Sequence, residues 1–372
     1  MQKQAKNTEI LSVQQVLSDG ETSSAAKRWL DSWQLLSRMT VTEGRKKISV
    51  IVVNWNGQRL LQDCLGSLAR QTYTNREIIL VDNGSTDSSI PYVKEKFPDV
   101  KIVELRENTG FTGGNAAGLK ATDGHFVALV NNDTRVDDRW LENLVQPMRQ
   151  DSKIGICASK ILFDGGAEIN SAGDGLTTAA VGFNRGLGAK STLGDHPEPV
   201  FGACGAGALY RRRMLDEIGF LDEDFFLYDE DTDLSFRAQL AGWKCVYAPD
   251  AVMYHKANAT AGRLSDTHVY YHTRNLEFVW IKNMPIGLMF RYAHHKIMQE
   301  VGSFCYLCLR HWKWRPFFKA KRDALWMLPR MWKKRRAIQA GRRVSNSYLR
   351  SLMTSMFTLD FASQKIRQMI KG

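Results

Sequence analysis

The eight residues Val127-Ala-Leu-Val130-Asn-Asn-Asp133-Thr134 constrain this chain more than any other stretch. Four apolar residues stop abruptly at three short polar ones. That is the pattern of a buried parallel strand whose carboxyl end opens into a crevice. Ligands of open α/β sheets sit outside the carboxyl ends of strands. Asp133 therefore stands where a carboxylate can hold a divalent cation, and the cation a diphosphate.

The preceding segments repeat the arrangement. Ile48–Val53 is a β-branched run bounded by Asn54-Trp-Asn-Gly57, and Ile78–Val81 ends in Asp82-Asn83-Gly-Ser-Thr-Asp87. Lys101–Leu105 leads into Asn108-Thr-Gly110-Phe111-Thr-Gly-Gly-Asn115. Leu60, Leu61, Cys64, Leu65 and Leu68 fall on one helix face. Strands separated by helices of this size predict an α/β fold on a mostly parallel sheet. Ser85 or Thr86 is expected to cap the helix after the second strand. A dinucleotide fingerprint would follow the first strand, which here ends in Asn-Trp-Asn-Gly, and the Walker lysine pattern is missing.

Beyond Pro147 the pattern changes. Ile154–Leu162 reads as a strand, and residues 165–199 are rich in Gly and Thr without periodicity, a length usually functional or mobile. Val200–Leu209 carries three glycines, which suits close backbone approach. Arg211–Arg213 opens a short helix ending near Gly219. Asp229-Glu230-Asp231-Thr-Asp233 precedes a helix with Leu234, Ala238 and Leu240 on it and Gly242 as C-cap. Lys244–Ala248 is the last expected strand, with His255 beyond Pro249.

The 372 residues suit one large or two modest domains. We expect a helical extension over 1–46, the main domain over 47–272, and a basic, aromatic helical region over 273–372. The net charge of +12 is uneven: from Ile281 onward there are 20 Lys/Arg against 3 Asp/Glu, leaving 31 against 36 in the rest. The six cysteines are scattered and read as buried free thiols, which fits a reduced, cytosolic compartment. The polar N-terminus has no signal-peptide core, and no apolar run approaches the ~20 residues of a membrane span.

Asn54, Asp82, Asn108, Gly110, Asn132 and Asp133 all lie at strand ends that converge on one edge. Each is ordinary turn chemistry alone; together they suggest a pocket. Asp82 can accept hydrogen bonds from a pyrimidine N–H or a ribose hydroxyl, and Gly110 lets backbone approach a flat base. Asp133 gains a second protein ligand if His255 reaches it, which would favour Mn²⁺ over Mg²⁺; a histidine packed at a strand end is the plainer reading. Four acids within Asp229–Asp233 exceed what helix-dipole complementarity needs, and mutual repulsion raises at least one pKa, as suits a general base.

These stretches, with Gly202-Ala-Cys-Gly-Ala206 and Glu230-Asp-Thr-Asp-Leu234, resemble inverting glycosyltransferases of family 2, of the GT-A fold class, and particularly their rhamnosyltransferase-like members. The resemblance runs from residue 47 to about 280. It implies a Rossmann-like, mostly parallel sheet flanked by helices. It also implies that Asp82 reads the nucleobase, with Asn54 and Gly110 lining the pocket. Asn83, Asn108, Phe111, Asn115, Asn131 and Asn132 then belong to the nucleotide-sugar site. Asn131 stands where the family's first DxD acid is expected, and Asp133 matches the metal-binding acid. His255 matches a metal-ligating histidine, Asp231 matches the catalytic base and Glu230 its neighbour. The implied cofactor is Mn²⁺ or Mg²⁺. The implied reaction moves a sugar, L-rhamnose from dTDP-rhamnose as first expectation, to a saccharide hydroxyl on an acceptor that is often lipid-linked, in cell-surface glycan assembly. A UDP-sugar donor (galactofuranose, GlcNAc or another hexose) and a non-catalytic sugar-nucleotide scaffold are the competing readings. Retention of Glu230-Asp231 speaks against the scaffold.

The tail alternates Lys and Arg with Trp and Phe. Three readings fit: an interfacial surface for anionic lipid, a nucleic-acid surface, or a helical subdomain with its own aromatic core. The acidic balance of the first 280 residues disfavours nucleic acid. The resemblance implies acceptors that are often lipid-linked and must be reached at the bilayer surface, so a peripheral enzyme on the cytoplasmic membrane face, its aromatics partly in a core of their own and homo-oligomerisation open, is the expectation.

Overall fold

A computed structural model describes residues 46–256 and 264–356. The expected N-terminal helical arm lies outside the described residues.

The first half alternates strand and helix: β1 (Ile48–Asn54), α1 (Gln58–Ala69), β2 (Arg76–Asn83), α2 (Ser89–Lys96), β3 (Lys101–Leu105), α3 (Gly110–Lys120) and β4 (Phe126–Asn131). β3, β2, β1 and β4 are neighbours in that order and all parallel. Ile48, Val50, Ile51, Ile79, Leu80, Val127 and Ala128 are completely buried, which is why these strands read as continuous apolar runs. The α2 cap differs from expectation. Asp87 Oδ1 accepts the Ser89 N–H at 3.0 Å, while Ser85 and Thr86 turn back toward Asn56.

After β4 come β5 (Thr134–Val136), α4 (Trp140–Gln150), β6 (Ile154–Phe163), β7 (Ile169–Ala172), β8 (Asp174–Thr177), β9 (Gly182–Asn184), β10 (Glu198–Val200) and β11 (Gly207–Arg211). β11 inserts antiparallel between β4 and β6 and makes the sheet mixed. The Gly- and Thr-rich stretch is thus ordered: β7 pairs with β6, and β8 pairs with β9 in a second small sheet.

Next are α5 (Arg212–Ile218), α6 (Glu230–Leu240) and β12 (Lys244–His255). β12 does not stop at Pro249. It runs parallel to β6 to Ala248, bulges, resumes pairing at Val252, and its end pairs antiparallel with β5, setting His255 opposite Thr134. A proline without an N–H is tolerated at such a bulge.

The C-terminal helices are α7 (Asp266–Asn283), α8 (Ile286–Phe304), a π-helical turn over Cys305–Arg310, α9 (Trp314–Ala340) and α10 (Asn346–Leu352). Helix begins seven residues before the expected Thr273, because Ser265 Oγ accepts the His268 N–H and caps α7. Nor does a core boundary fall at 272. Leu176, Phe201 and Phe236 share one apolar cluster with Phe278, Ala324, Met331 and Leu349, and β13 (Met353–Thr354) pairs with β8. No described helix is long and apolar enough to cross a membrane.

Candidate active site

The parallel register places Asn54 beside Asp82 and Val53 beside Asn131. Asn54 is fully buried, and its Oδ1 accepts from Asn132 Nδ2 at 2.9 Å. Gly57 lies against this pair, where a Cβ would come within 2.4 Å of the Asn132 amide. Asp82 Oδ2 accepts the Ser85 N–H at 3.1 Å; its Oδ1 is buried with no hydrogen-bond partner. An orphaned carboxylate oxygen at a strand end is a ready acceptor for a donor brought by a ligand.

Three of the expected nucleotide-site side chains turn their amides onto the protein itself. Asn83 Nδ2 donates to Asn108 Oδ1 at 3.1 Å and to the Gly110 carbonyl at 3.0 Å, and its Oδ1 accepts the Thr109 N–H at 2.9 Å. Asn108 Oδ1 also accepts the Gly110 N–H, and Asn115 Nδ2 donates to the Phe111 carbonyl. These bonds fix the turn that starts α3. Gly110 has φ +76°, and a Cβ there would meet the Phe226 carbonyl at 2.4 Å.

The β4–β5 turn presents Asp133, largely buried. Its Oδ1 lies 3.2 Å from His255 Nε2 yet accepts no hydrogen bond. His255 Nδ1 faces Asn170 Oδ1 at 3.5 Å. A carboxylate oxygen and an imidazole nitrogen side by side are a donor set that fits a hard or borderline divalent cation.

The loop before β11 brings the second half of the site in. Asn131 N–H donates to the Ala206 carbonyl at 3.0 Å, and the Gly205 N–H donates to Asp231 Oδ2 at 2.9 Å. A Cβ on Gly205 would lie 3.5 Å from both Asp231 and the Phe111 ring. Asp231, Phe111 and the β4 end are thereby gathered around one loop.

The four acids separate by environment. Asp229 Oδ2 pairs with His272 Nδ1 at 2.8 Å. Asp233 is fully buried; burial alone would raise its pKa, but Lys282 and Arg237 outweigh that and hold it low. Glu230 is buried with its Oε2 unpartnered, and burial followed by the Asp231 charge pushes its carboxyl well above the usual range. Asp231 is half-buried. Burial raises its pKa too, opposed by the Gly205 and Thr232 amides. Asp231 is the acid of the four that is partly open, charged by two backbone donors and free of any cation.

Two sets of residues were not visible in the sequence pattern. Asp174 and Cys204 lie with Asp231, their ligand atoms within 4.8 Å of one another. The other set holds the turn before α6, where Phe226, Tyr228 and Asp229 all have positive φ, 66°, 70° and 64°. Such backbone costs about 1–2 kcal/mol per non-glycine residue. From α7, the fully buried Asn275 donates through Nδ2 to the carbonyls of Phe225, Leu227 and Tyr228 at 2.8–3.0 Å. Arg274 binds the Asp224 and Phe225 carbonyls, and Phe226 stacks on Tyr271.

Residues 49–219 match the model of glycosyl transferase family 2. These residues are a family 2 glycosyltransferase domain. Over 252 residues the chain is 27% identical to the N-acetylglucosaminyl-diphospho-decaprenol L-rhamnosyltransferase of Mycobacterium tuberculosis, covering 61% of this chain and 82% of that protein. It is 23% identical over 219 residues to the poly-beta-1,6-N-acetyl-D-glucosamine synthase of Staphylococcus epidermidis, covering 58% and 52% of the two chains. The crystal structure of GalNAc-T7 with UDP, GalNAc and Mn²⁺ superimposes with a TM-score of 0.54 at 19% identity, over 64% of this chain and 48% of that one. The fold is of the GT-A class, and the protein is a glycosyltransferase.

Asn275→Ala should leave the Leu227 and Tyr228 carbonyls without the Asn275 donor, the Phe225 carbonyl keeping Arg274, and destabilise the protein by about 1–3 kcal/mol in urea unfolding. An unchanged midpoint would mean that the turn is held without Asn275.

Proposed function

We propose that this glycosyltransferase takes a sugar from a nucleoside-diphosphate donor and places it, with inversion, on a hydroxyl of a saccharide acceptor. The observation that carries the reading is the joining of two half-sites by the loop before β11: orphaned Asp82 and Asp133 oxygens on one side, Asp231 on the other. Asp82, with Asn54 and Asn132 behind it, takes the base and ribose. Asn131, Phe111 and Gly110 line the same crevice, with the turn kept in shape by Asn83, Asn108 and Asn115.

Asp133 and His255 would hold the divalent cation, Mn²⁺ or Mg²⁺, which when bound offsets charge on the leaving diphosphate. Asp231 accepts the acceptor hydroxyl's proton as that oxygen attacks the anomeric carbon from the face opposite the leaving group. One base with no protein nucleophile yields the inverted anomer. Glu230, its carboxyl pushed well above the usual range by burial, sits next to Asp231.

L-Rhamnose from dTDP-rhamnose is the donor we favour, because the mycobacterial relative is a rhamnosyltransferase matched over most of its length. UDP-sugars are the alternative. That relative's name also supports a lipid-linked saccharide as acceptor.

The C-terminal helices suit delivery to such an acceptor. Phe290, Ile297, Val301, Trp312, Leu325 and Trp326 are exposed, Trp326 at 89%. In sequence they alternate with the basic residues that give the tail its charge. Exposed apolar side chains on a basic region complement an anionic bilayer, which supports a peripheral position on the cytoplasmic membrane face.

Thermal stability should rise with dTDP or UDP in a Mn²⁺-dependent way; at about a hundred times Kd the gain is about 2.7 kcal/mol. Asp133→Ala should lose the Mn²⁺-dependent part of that gain. No shift with any nucleoside diphosphate would reject the donor site. Asp231→Asn should slow transfer by about 10²–10⁴-fold with the nucleotide shift intact; loss of both together would reject the base assignment. The protein should also sediment with phosphatidylserine vesicles, and Phe290→Ser with Trp326→Ser should return it to the supernatant. Equal recovery with and without vesicles would refute the lipid surface.

A further inference from the structure

Asp174 belongs to none of the roles above. It opens β8, 57 positions before Asp231, and reaches it through β8's bridge to Gly202, where the Asp174 and Gly202 backbones exchange hydrogen bonds at 2.9 and 3.0 Å. One oxygen of Asp174, one of Asp231 and the Cys204 sulfur then lie within 4.8 Å of one another. Two carboxylates that close, both half-buried, compete for one proton near neutrality.

The surroundings decide which one carries the charge. Asp231 accepts two backbone N–H bonds, from Gly205 at 2.9 Å and Thr232 at 2.7 Å. Asp174 accepts one, from the Ser171 hydroxyl at 2.9 Å. The groups that face Asp174 are few. α6 offers Asp231, and Glu230 faces the neighbouring Cys204. The loop before β11 gives Cys204, β11 gives Tyr210 and β12 gives Cys245, all pushed up by burial and so neutral. Arg185 beyond β9 is the cation, and it is held by Glu198 at 2.8 Å. Tyr210 adds a second observation: its hydroxyl is fully buried and has no hydrogen-bond partner.

We propose that Asp174 is a positioning residue for Asp231, the two sharing one proton that rests on Asp174 and leaves Asp231 ionised. This rests on the reading of Asp231 as the base. During transfer the acceptor O–H proton moves to Asp231, the acceptor oxygen bonds to the anomeric carbon, and the carbon–phosphate oxygen bond breaks with its electron pair leaving on the diphosphate. The Asp174 proton stays where it is. Its presence keeps a second negative charge away from the electron-rich oxygens of acceptor and leaving group.

Burial, then the Asp231 charge, push Asp174 up to about 8 from an ordinary 3.8. A carboxyl raised in the fold binds a proton that the unfolded chain has released. Its contribution to stability is full below pH 3.8 and is lost progressively up to about 8. The test begins without substrate. Melting of wild type and Asp174→Asn should diverge as pH rises from 5 to 8, the variant gaining, and then run level. A gap independent of pH would overturn the shared proton. With donor and acceptor, wild-type kcat/KM for acceptor should fall above about pH 8, and neither Asp174→Asn nor Asp174→Ala should show that fall. At pH 7 Asp174→Asn should exceed Asp174→Ala by about tenfold, the scale of one well-placed polar contact. Equal rates in the two folded variants, or an alkaline fall that persists in Asp174→Asn, would overturn the role. Asp231→Asn is the separate control: wild-type transfer by it would remove the base reading and this role with it, whatever melting shows.

Discussion

The site depends on the grip of one buried amide on a strained turn. Asn275 holds the carbonyls of Phe225, Leu227 and Tyr228, in a segment with three non-glycine residues in left-handed backbone. The turn ends at Asp229, the first residue before α6, so its conformation aims the first turn of that helix. The grip, with Arg274 on the Asp224 and Phe225 carbonyls, thereby couples the shape of the turn to the contact between Asp231 and the loop at Gly205. The helix that supplies the grip belongs to the C-terminal region. The basic tail and the catalytic half-site are one mechanical object, which the shared cluster of Phe236, Phe278 and Met331 also shows.

Charge is sorted by depth rather than by sequence position. Asp229, Glu230, Asp231 and Asp233 are nearly adjacent, yet one meets a histidine, one meets Lys282 and Arg237, one is buried without a cation, and one meets backbone amides. A helix N-terminus can favour carboxylates in general, but it cannot make four of them different. Ion pairs from α6 and α7 do that.

The parallel half of the fold was legible because its code is local. Each strand is a β-branched run ended by a short polar group, and each polar group lands at the same edge. Asp82 and Asp133 could be singled out from that rule alone, whereas His255 lay beyond the expected end of its strand and was singled out by resemblance; the three glycines before Leu209 signalled the close approach that Gly205 makes to Asp231. Asp174 was not legible. It sits in a four-residue strand whose partners are two other short strands and an isolated bridge, so no period marks it. Asn275 was hidden for a different reason: a polar residue on a helix is unremarkable until the carbonyls it serves are seen. The early start of α7 did have a signal, Ser265-Asp266, which the aromatic run beyond it overshadowed.

The bulge in β12 has a consequence for how the enzyme can change. Residues before it pair with β6 alone; residues after it pair with β6 on one side and β5 on the other and end at His255. The three residues between Ala248 and Val252 make no pair with β6, and the Asp250 carbonyl among them accepts from Asn143 Nδ2 instead. Side chains on a strand alternate faces. Losing or gaining one residue at the bulge would move His255 off Thr134 and, with it, the completely buried Met253 off Ile161. The proposed metal-side histidine is therefore seated by the same ladders that seat the core, and one cannot slip without the other.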